Sequence, residues 1–406
     1  MDIRDACREM FQRHRVEAFG GVFHVPDVDQ YNCLFAWDSG YHALALRHLD
    51  PSLAEAELAT LYRANTADDG LLAHERPAPG SEERTSLVTE ALGPIYRSDG
   101  KSWLIDPPAP AYAAAKLFKP GDAVNLLKAA SAHLDAIDRL RVIEPGGLPV
   151  ILHPLESGTD ASPQFDGLVD ASSGQAILMN FYALSHRIAG FGYSVERAMA
   201  GAYPFVVSDV VFCGWHLLAH EALAQAWAQA GDAARAAKHE ARANELARLM
   251  ARDMWSDAHA LFVGYDHVGK RALSTPTLGG VIPAASSNAA ALGLAARTMA
   301  SHLSDGAPFW GEAGISFNPV SKQPLSFEGM LWRGDVASGA THYWAHMAFM
   351  AAADRAAAAR AREQLEGLIR STGFREFYDA NSGAGVGAGA TAGFTWPALV
   401  LDMIED

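Results

Sequence analysis

Apolar positions along this chain recur with the period of a helix, mostly in alanine-rich segments. Asp50-Pro51 marks one start: Asp supplies an N-cap oxygen and Pro fits the first helical position, whose N–H has no partner anyway. From there Ala54, Leu58, Leu61 and Tyr62 keep helical spacing, as do Ala243, Leu246, Ala247, Met250 and Met254 later. A short turn at Ala230-Gly231-Asp232 separates two helices between 219 and 253. Similar pairs are expected over 41–48 with 52–66, 110–117 with 121–139, 172–188 with 207–229, 233–254 with 286–303 and 339–353 with 355–371, and a last helix begins near 396. Strand signals are few and short, as over 260–265. About twelve helices in about six pairs predict an all-α toroid, with one face of each inner helix buried and the site built from rim loops. A solenoid would need a repeat of ~34–47 residues, and none is visible. No linker or low-complexity tail interrupts the chain, so 1–406 reads as one domain.

Half of the residues are hydrophobic, ample for a large core. With 32 basic and 47 acidic residues the net charge is −15, which repels phosphate backbones and argues against nucleic acid as a partner. The first residues lack the apolar core of a signal peptide, and no run approaches the ~18 apolar residues of a membrane span. Cys7, Cys33 and Cys213 are odd in number and widely spaced, the pattern of free thiols in a reducing cytoplasm.

Chemistry concentrates at breaks between helices. The run 153–166 contains Glu156, Gly158, Asp160 and Pro163, so it is a loop with local order. Asp160 there is either an Asx-turn residue bonding its own backbone or a rim acid kept protonated by burial and by Glu156. Glu376, between Phe374 and Phe377-Tyr378, is either an exposed helix-end acid or part of a sugar-binding surface. Asp38, after Trp37, either caps a helix or accepts sugar hydroxyls. Asp69-Gly70 with His74-Glu75, and Trp332-Arg333-Gly334-Asp335, are similar polar clusters. His216 with His220 and His342 with His346 have metal-site spacing, but without the His-Glu-x-x-His order or an evident third ligand no metal is expected. The glycine-dense stretch 383–393 lacks a following Gly-Lys-Ser/Thr, so no phosphate-binding cofactor is expected either.

Four segments together resemble the family 63 type of glycoside hydrolase, in particular its small bacterial mannosylglycerate and glucosylglycerate hydrolases; the trehalases of a neighbouring family are more distant. The family's Trp-Asp-Ser-Gly/Ala-Phe-His is similar to Trp37-Asp38-Ser39-Gly40-Tyr41-His42, and its Asp-Gly-x-x-Pro-His to Asp69-Gly70-Leu71-Leu72-Ala73-His74. Its His-Pro-x-Glu-Ser-Gly-x-Asp-x-Ser-Pro corresponds to His153 through Pro163, with Asp160 at the general-acid position. Glu376, followed by Tyr378-Asp379 and Phe394-Thr395-Trp396, stands at the general-base position. The resemblance runs from about residue 30 onward. It implies an (α/α)6 barrel and hydrolysis of an α-glycosidic bond of a small glycoside with inversion. Asp160 would act as acid and Glu376 as base, with Trp37, Asp38, His74, Asp106, Glu156, Trp332, Arg333 and Trp396 binding substrate.

The chain departs from the family at Asp106 (where Gln is usual), Leu155 (Trp), Cys213 (Asn), Asp335 (Pro) and Ala337 (Trp). These departures lead to two expectations: a remodelled sugar cage, and Asp106 and Asp335 in an unusually acidic cavity that disfavours an acidic substrate; the acid and base roles add a third, Glu376 ionised while Asp160 stays protonated. Rival readings are a sugar epimerase using His216 with His342 or His346, and a barrel repurposed to bind a small metabolite. Opposed carboxylates or opposed imidazoles on the pocket floor discriminate hydrolase from epimerase.

Overall fold

The structure is a computed structural model and describes residues 2–295, 298, 308–321, 331–386 and 393–405. Helices dominate, and the inner ones form a closed ring. Ala36–Leu46 packs on Ala109–Leu117, which packs on Val210–Gln229; the ring continues through the 3-10 segment Leu278–Ala285, the helix Gly339–Ala351, and Trp396–Leu399 running into Val400–Glu405. The last of these returns to pack on Ala36–Leu46. The first inner helix is covered on both faces: every residue of Ala36–Leu46 is buried. Outer helices bury one stripe. Arg355–Thr372 does so through Ala357, Ala358, Ala361, Leu365, Leu368 and Ile369, spaced three and four apart, and lies against Gly339–Ala351.

Pro51–Asn65 covers the first inner helix, and it starts as the sequence dictates, with Asp50 accepting from the amides of Ser52 and Leu53 and Pro51 in the first turn. Asn125–Leu140 covers Ala109–Leu117, and Ala233–Asp253 covers Val210–Gln229. One expected pairing differs and a second is shared with another helix. The helix at 172–188, observed as Gly174–Gly190, packs on Glu82–Leu92 rather than on Val210–Gln229. It buries only Ile177, Phe181, Leu184, Ser185 and Ile188, a single stripe that cannot serve an inner position. Ala233–Asp253 packs chiefly on the third inner helix and also meets Ser287–Ala291. Of the stretch 286–303, a helix is seen at Ser287–Ala291, while 296–297 and 299–303 lie outside the described residues.

Short antiparallel pairs tie the rim loops together. Cys33–Phe35 pairs with Glu75–Pro77, placing Phe35 opposite Glu75. Phe377–Asp379 lies between Val336–Ala337 and Gly385–Val386. The strand expected within 260–265 is Leu261–Phe262, paired with Trp255–Ser256. Cys7, Cys33 and Cys213 are free and buried. No described helix is long and apolar enough to cross a membrane.

Two features hold the first inner helix in place. At Gly40 the backbones nearly touch: a Cβ there would stand 2.7 Å from Pro110 N and 2.8 Å from Ala109 C. Beneath it, Glu57 of the outer helix is fully buried and accepts from Ser39 Oγ at 2.8 Å, with His24 Nδ1 at 2.8 Å and His42 Nδ1 at 3.2 Å. Burial alone would raise its pKa, but the hydrogen bonds and charge of His24 and His42 hold it down at about 2. Its folded value lies below its unfolded value, so the stabilisation is full above the unfolded pKa of ~4.3 and fades as the pH falls towards 2. Glu57→Gln should therefore lower unfolding free energy at pH 7 by ~2 kcal/mol and flatten the acid loss, read from urea denaturation at pH 7 and pH 3. Gly40→Ala should cost ~1–3 kcal/mol in the same assay, since neither backbone can retreat.

Candidate active site

At the N-terminal ends of the inner segments lies a cavity of about 80 Å³. Asp38, Asp106, Asp160 and Glu376 line it together with Trp37, Trp332, Trp396, His74, Tyr31 and Phe35. Each arrives from a different break in the ring. Trp37 and Asp38 sit in the first turn of Ala36–Leu46, and Asp106 lies just before Ala109–Leu117. Asp160 belongs to the loop before Gly174–Gly190, Trp332 precedes Gly339–Ala351, and Glu376 follows Arg355–Thr372. Phe394 and Trp396 open the last inner segment.

The floor is indole. Trp344, buried below, stacks on Trp37 and on Trp332 at ring separations of 6.1 Å with interplanar angles of 10° and 7°. Trp396 leans on both at 5.8 and 5.6 Å. Trp332 takes a left-handed φ of 66°, a conformation a bulky residue adopts only when its surroundings enforce it. Trp396 Nε1 donates to Asp38 Oδ1 at 2.7 Å, so Asp38 is a fixed acceptor. It is not the N-cap; Phe35 occupies that position. Thr395, next to Trp396, meets His42 Nε2 at 2.8 Å, which links the cavity to the buried Glu57.

The loop 153–166 folds as two short 3-10 turns, Pro154–Ser157 and Pro163–Phe165. Between them Gly158 adopts a φ of +68° and presses on Trp37; a Cβ there would overlap the indole, 1.2 Å from Cζ3. Glu156 does not line the cavity. It is buried against Arg141, with Nη2 to Oε1 at 2.6 Å, and it accepts from the amides of Leu152 and Ile105 at 2.6 and 3.1 Å. A buried carboxylate so fully paired is a brace: it ties the Asp160 loop to the segment that carries Asp106. Arg333 is also outside the lining. Its guanidinium is held by both oxygens of Asp166 at 2.8 and 2.6 Å and by Ala161 O at 2.8 Å.

The carboxyls of the cavity have no such partners. Asp106 Oδ2 accepts from Trp37 N at 3.1 Å and Oδ1 stands 3.8 Å from His74 Nε2. Tyr31 OH lies 3.5 Å from Glu376 Oε2. Burial first, then the charges of Asp38 and Glu75, push Asp160 up to about 7. The neighbours responsible are these two, not Glu156 as the sequence reading expected. Asp106 is raised well above the ordinary carboxylate range by burial and by Asp38, Asp160 and Glu75. Glu376 is raised well above it too, by burial and by Asp38, Asp160 and Asp27. The rise at Glu376 runs against the expectation of an ionised base, because burial and the neighbouring carboxyls push it in the same direction as Asp160.

Of the five departures only Asp106 reaches the cavity. Asp335 accepts from Ser321 N and Oγ and from Asn381 Nδ2 elsewhere. Ala337 packs with Tyr378 and Ala380, Leu155 with Ile95 and Leu104, and Cys213 is buried with its thiol towards Pro149 O. Nor do imidazoles oppose one another here. His216 bonds Asp138 at 2.9 Å, His342 is held by Ser338 O and Ile315 N, and His346 by Ala358 O. Asp138, His216 and His220 do converge within metal-ligand reach, the third member that the sequence left unseen. Arg242 already donates to Asp138 twice, at 3.0 and 2.8 Å, and opposes a cation at that point.

Sequence reasoning missed Tyr31, Phe35 and Phe394 as lining residues, and Asp27 and Glu75 as sources of field. Glu57 had a usable signal, an acid in phase with Ala54, Leu58 and Leu61; Tyr31 had none.

Comparison with known proteins agrees with this geometry. A family model described as "Mannosylglycerate hydrolase MGH1-like glycoside hydrolase domain" matches residues 31–397. The chain belongs to this glycoside hydrolase family. The mannosylglycerate hydrolase of Rubrobacter radiotolerans is 26% identical over 443 residues, covering 95% of this chain and 93% of the relative. The solved GH63 mannosylglycerate hydrolase of Thermus thermophilus, in complex with Tris and D-glycerate, has a TM-score of 0.80 at 22% identity and covers the whole of both chains. The neutral trehalase Nth1 of Saccharomyces cerevisiae has a TM-score of 0.57 at 16% identity, covering 95% of this chain and 73% of that one. The closed ring is thus an (α/α)6 barrel, and the protein is an inverting glycoside hydrolase of the MGH1-like family.

In this MGH1-like hydrolase Gly158 sets how near the acid-bearing loop comes to the indole floor. Gly158→Ala must displace Trp37, and it strains a left-handed backbone besides. It should reduce kcat/KM by ~100-fold or more and alter the indole bands in near-ultraviolet circular dichroism, while far-ultraviolet helicity stays unchanged.

Proposed function

We propose that this chain cleaves the glycosidic bond of a small glycoside with Asp160 as general acid and Glu376 as general base. The observation that carries the reading is the meeting of these two carboxyls, from loops 216 positions apart, in one indole-floored cavity. Asp160 passes its proton to the glycosidic oxygen as the C–O bond breaks. A water attacks the anomeric carbon from the opposite face and gives its proton to Glu376. Inversion requires the two carboxyls to stand ~6.5–9.5 Å apart so that this water fits between them. A pyranose laid on Trp37, Trp332 and Trp396 would present hydroxyls to Asp38, whose orientation Trp396 fixes. The cavity of about 80 Å³ favours a single sugar ring over an extended glycan, since sites for larger ligands measure ~300 Å³ or more. Relatives that act on mannosylglycerate support a glycoside of that size.

The pH dependence follows from the raised acid. Asp160 must hold its proton to act, so kcat/KM should fall tenfold per pH unit above about 7. Glu376 must lose its proton, and its upward shift moves the acid limb above the ordinary carboxylate range. A profile flat from pH 6 to pH 9 would exclude Asp160 as the acid.

The roles separate by leaving group. Asp160→Asn should lose ~10³-fold in kcat on an O-glycoside yet retain activity on a glycosyl fluoride, whose leaving group needs no proton. Glu376→Gln should lose ~10³-fold on both. Proton NMR of the first-formed sugar should show the anomer opposite to that of the substrate; a retained anomer would replace this mechanism with a covalent one.

A further inference from the structure

The break that starts the last inner segment grips the first inner helix at two points. Thr395 and Trp396 are adjacent in sequence, and their partners His42 and Asp38 lie four positions apart on Ala36–Leu46, one turn along the same face. Trp396 Nε1 meets Asp38 Oδ1 at 2.7 Å, and Thr395 Oγ1 meets His42 Nε2 at 2.8 Å. Both contacts are closed to solvent, with Thr395 2% and His42 1% exposed. Thr395 is the residue just before the 3-10 turn Trp396–Leu399, yet its hydroxyl makes no capping hydrogen bond there. The side chain is committed to His42 instead.

Glu57 decides how His42 can answer. Its pKa of about 2 keeps it a carboxylate, and a carboxylate only accepts. His42 Nδ1, 3.2 Å from Glu57 Oε1, therefore carries a proton. On a ring with one proton Nε2 is then the acceptor, and Thr395 donates to it. Carboxylate, imidazole and hydroxyl stand in the order of a nucleophilic triad, but Thr395 does not line the cavity and is not placed to attack a substrate. The chain of bonds ends instead beside Trp396, and through that indole it reaches Asp38. Oδ1 of Asp38 can accept from Trp396 whether or not the other oxygen is protonated.

We infer that His42, oriented by Glu57, is a positioning residue for the sugar subsite: it anchors Thr395 and so sets the place of the Trp396 indole and of Asp38 in the cavity. The inference rests on the hydrolytic reading above and adds to it residues that do not touch the substrate. Two anchors on neighbouring residues fix both the position and the tilt of the segment; one anchor would leave it free to pivot. Without the Thr395 anchor Trp396 would tilt, its face would leave the plane of a bound pyranose, and the Asp38 carboxyl would turn with it. Displacements of about 1 Å can cost ~10²-fold in rate. Asp160 and Glu376, carried by other loops, would stay in place.

The test follows the full chain on α-glucosyl and α-mannosyl fluoride, which report on the sugar side of the cavity because fluoride leaves without a proton. On the faster of the two, Thr395→Val keeps the shape of the side chain but removes its hydroxyl, and should lower kcat/KM ~10-fold. Thr395→Ser keeps the hydroxyl and should stay within ~2-fold of the parent chain. Trp396→Phe removes the donor to Asp38. In that background Thr395→Val should cost no more than ~2-fold further, because both substitutions break one route. Losses that multiply in the double variant would overturn the inference and leave the hydrolytic reading standing. So would parental kcat/KM in Thr395→Val, or a Thr395→Ser chain as slow as Thr395→Val. Thr395→Ala takes the place of Thr395→Val in the same cycle if far-ultraviolet circular dichroism shows that the valine form does not fold. Hydrolysis of neither fluoride by the parent chain would defeat the hydrolytic reading and this inference with it.

Discussion

Closing a ring of inner segments constrains this molecule more than any other requirement. Each inner segment must touch two neighbours, and the last must touch the first, so the backbones have to approach one another at several points. Small residues permit it. Gly40 lies against Ala109 and Pro110, Gly214 against Ile282, and Gly339 against the carbonyl of Trp396. Ala43, Ala45, Ala111 and Ala113 fill adjoining positions without exposure. Larger side chains there would hold the segments apart, and the loops at their N-terminal ends would no longer converge. The alanine-rich composition is thus the condition for a site as well as for a core.

Two classes of buried acid serve the barrel differently. Glu57 and Glu156 are surrounded by donors, and each ties elements together. Asp38, Asp106 and Glu376 are buried and Asp160 half-buried, all with few donors, which raises their pKa values. A carboxyl that keeps its proton near neutral pH can give that proton away, which is what an acid catalyst needs. Burial pushes Glu57 up as well, but the hydrogen bonds and charge of His24 and His42 outweigh it. The N-terminus of Ala36–Leu46 moderates the cost of gathering these carboxyls, because its Trp37 amide donates to Asp106.

Much of the architecture was legible in the chain. The Asp50-Pro51 start, the turn at 230–232 and the apolar inner helices follow from local rules. Periodicity shows that 174–190 is amphipathic, but it does not say which element covers the stripe, and the partner proved to be Glu82–Leu92. The site was legible where a motif carried it and opaque where distant pairing decided the outcome. Glu156 and Arg333 stand beside cavity residues in sequence, yet Arg141 and Asp166 claim them. Asp335 and Ala337 follow Trp332 closely, but the strand turns them towards Asn381 and Tyr378. Neighbourhood in sequence predicted neighbourhood in space only to within a residue or two of the cavity, because each loop alternates between facing the cavity and facing the core.

The hydrogen bond from Trp396 to Asp38 spans 358 positions, and this has a consequence for how the enzyme is made. A ribosome releases the chain N-terminus first, at ~5–20 residues per second, so roughly 20–70 s separate the two residues. Throughout that interval the first inner helix has one uncovered flank, and the cavity lacks part of its floor. Helices can form and pair as they emerge, since neighbouring hairpins are local. Catalytic competence cannot accumulate in the same way: it arrives in one step, when the final segment docks and Thr395 reaches His42. Until then Asp38 has no partner in Trp396 and the site is incomplete.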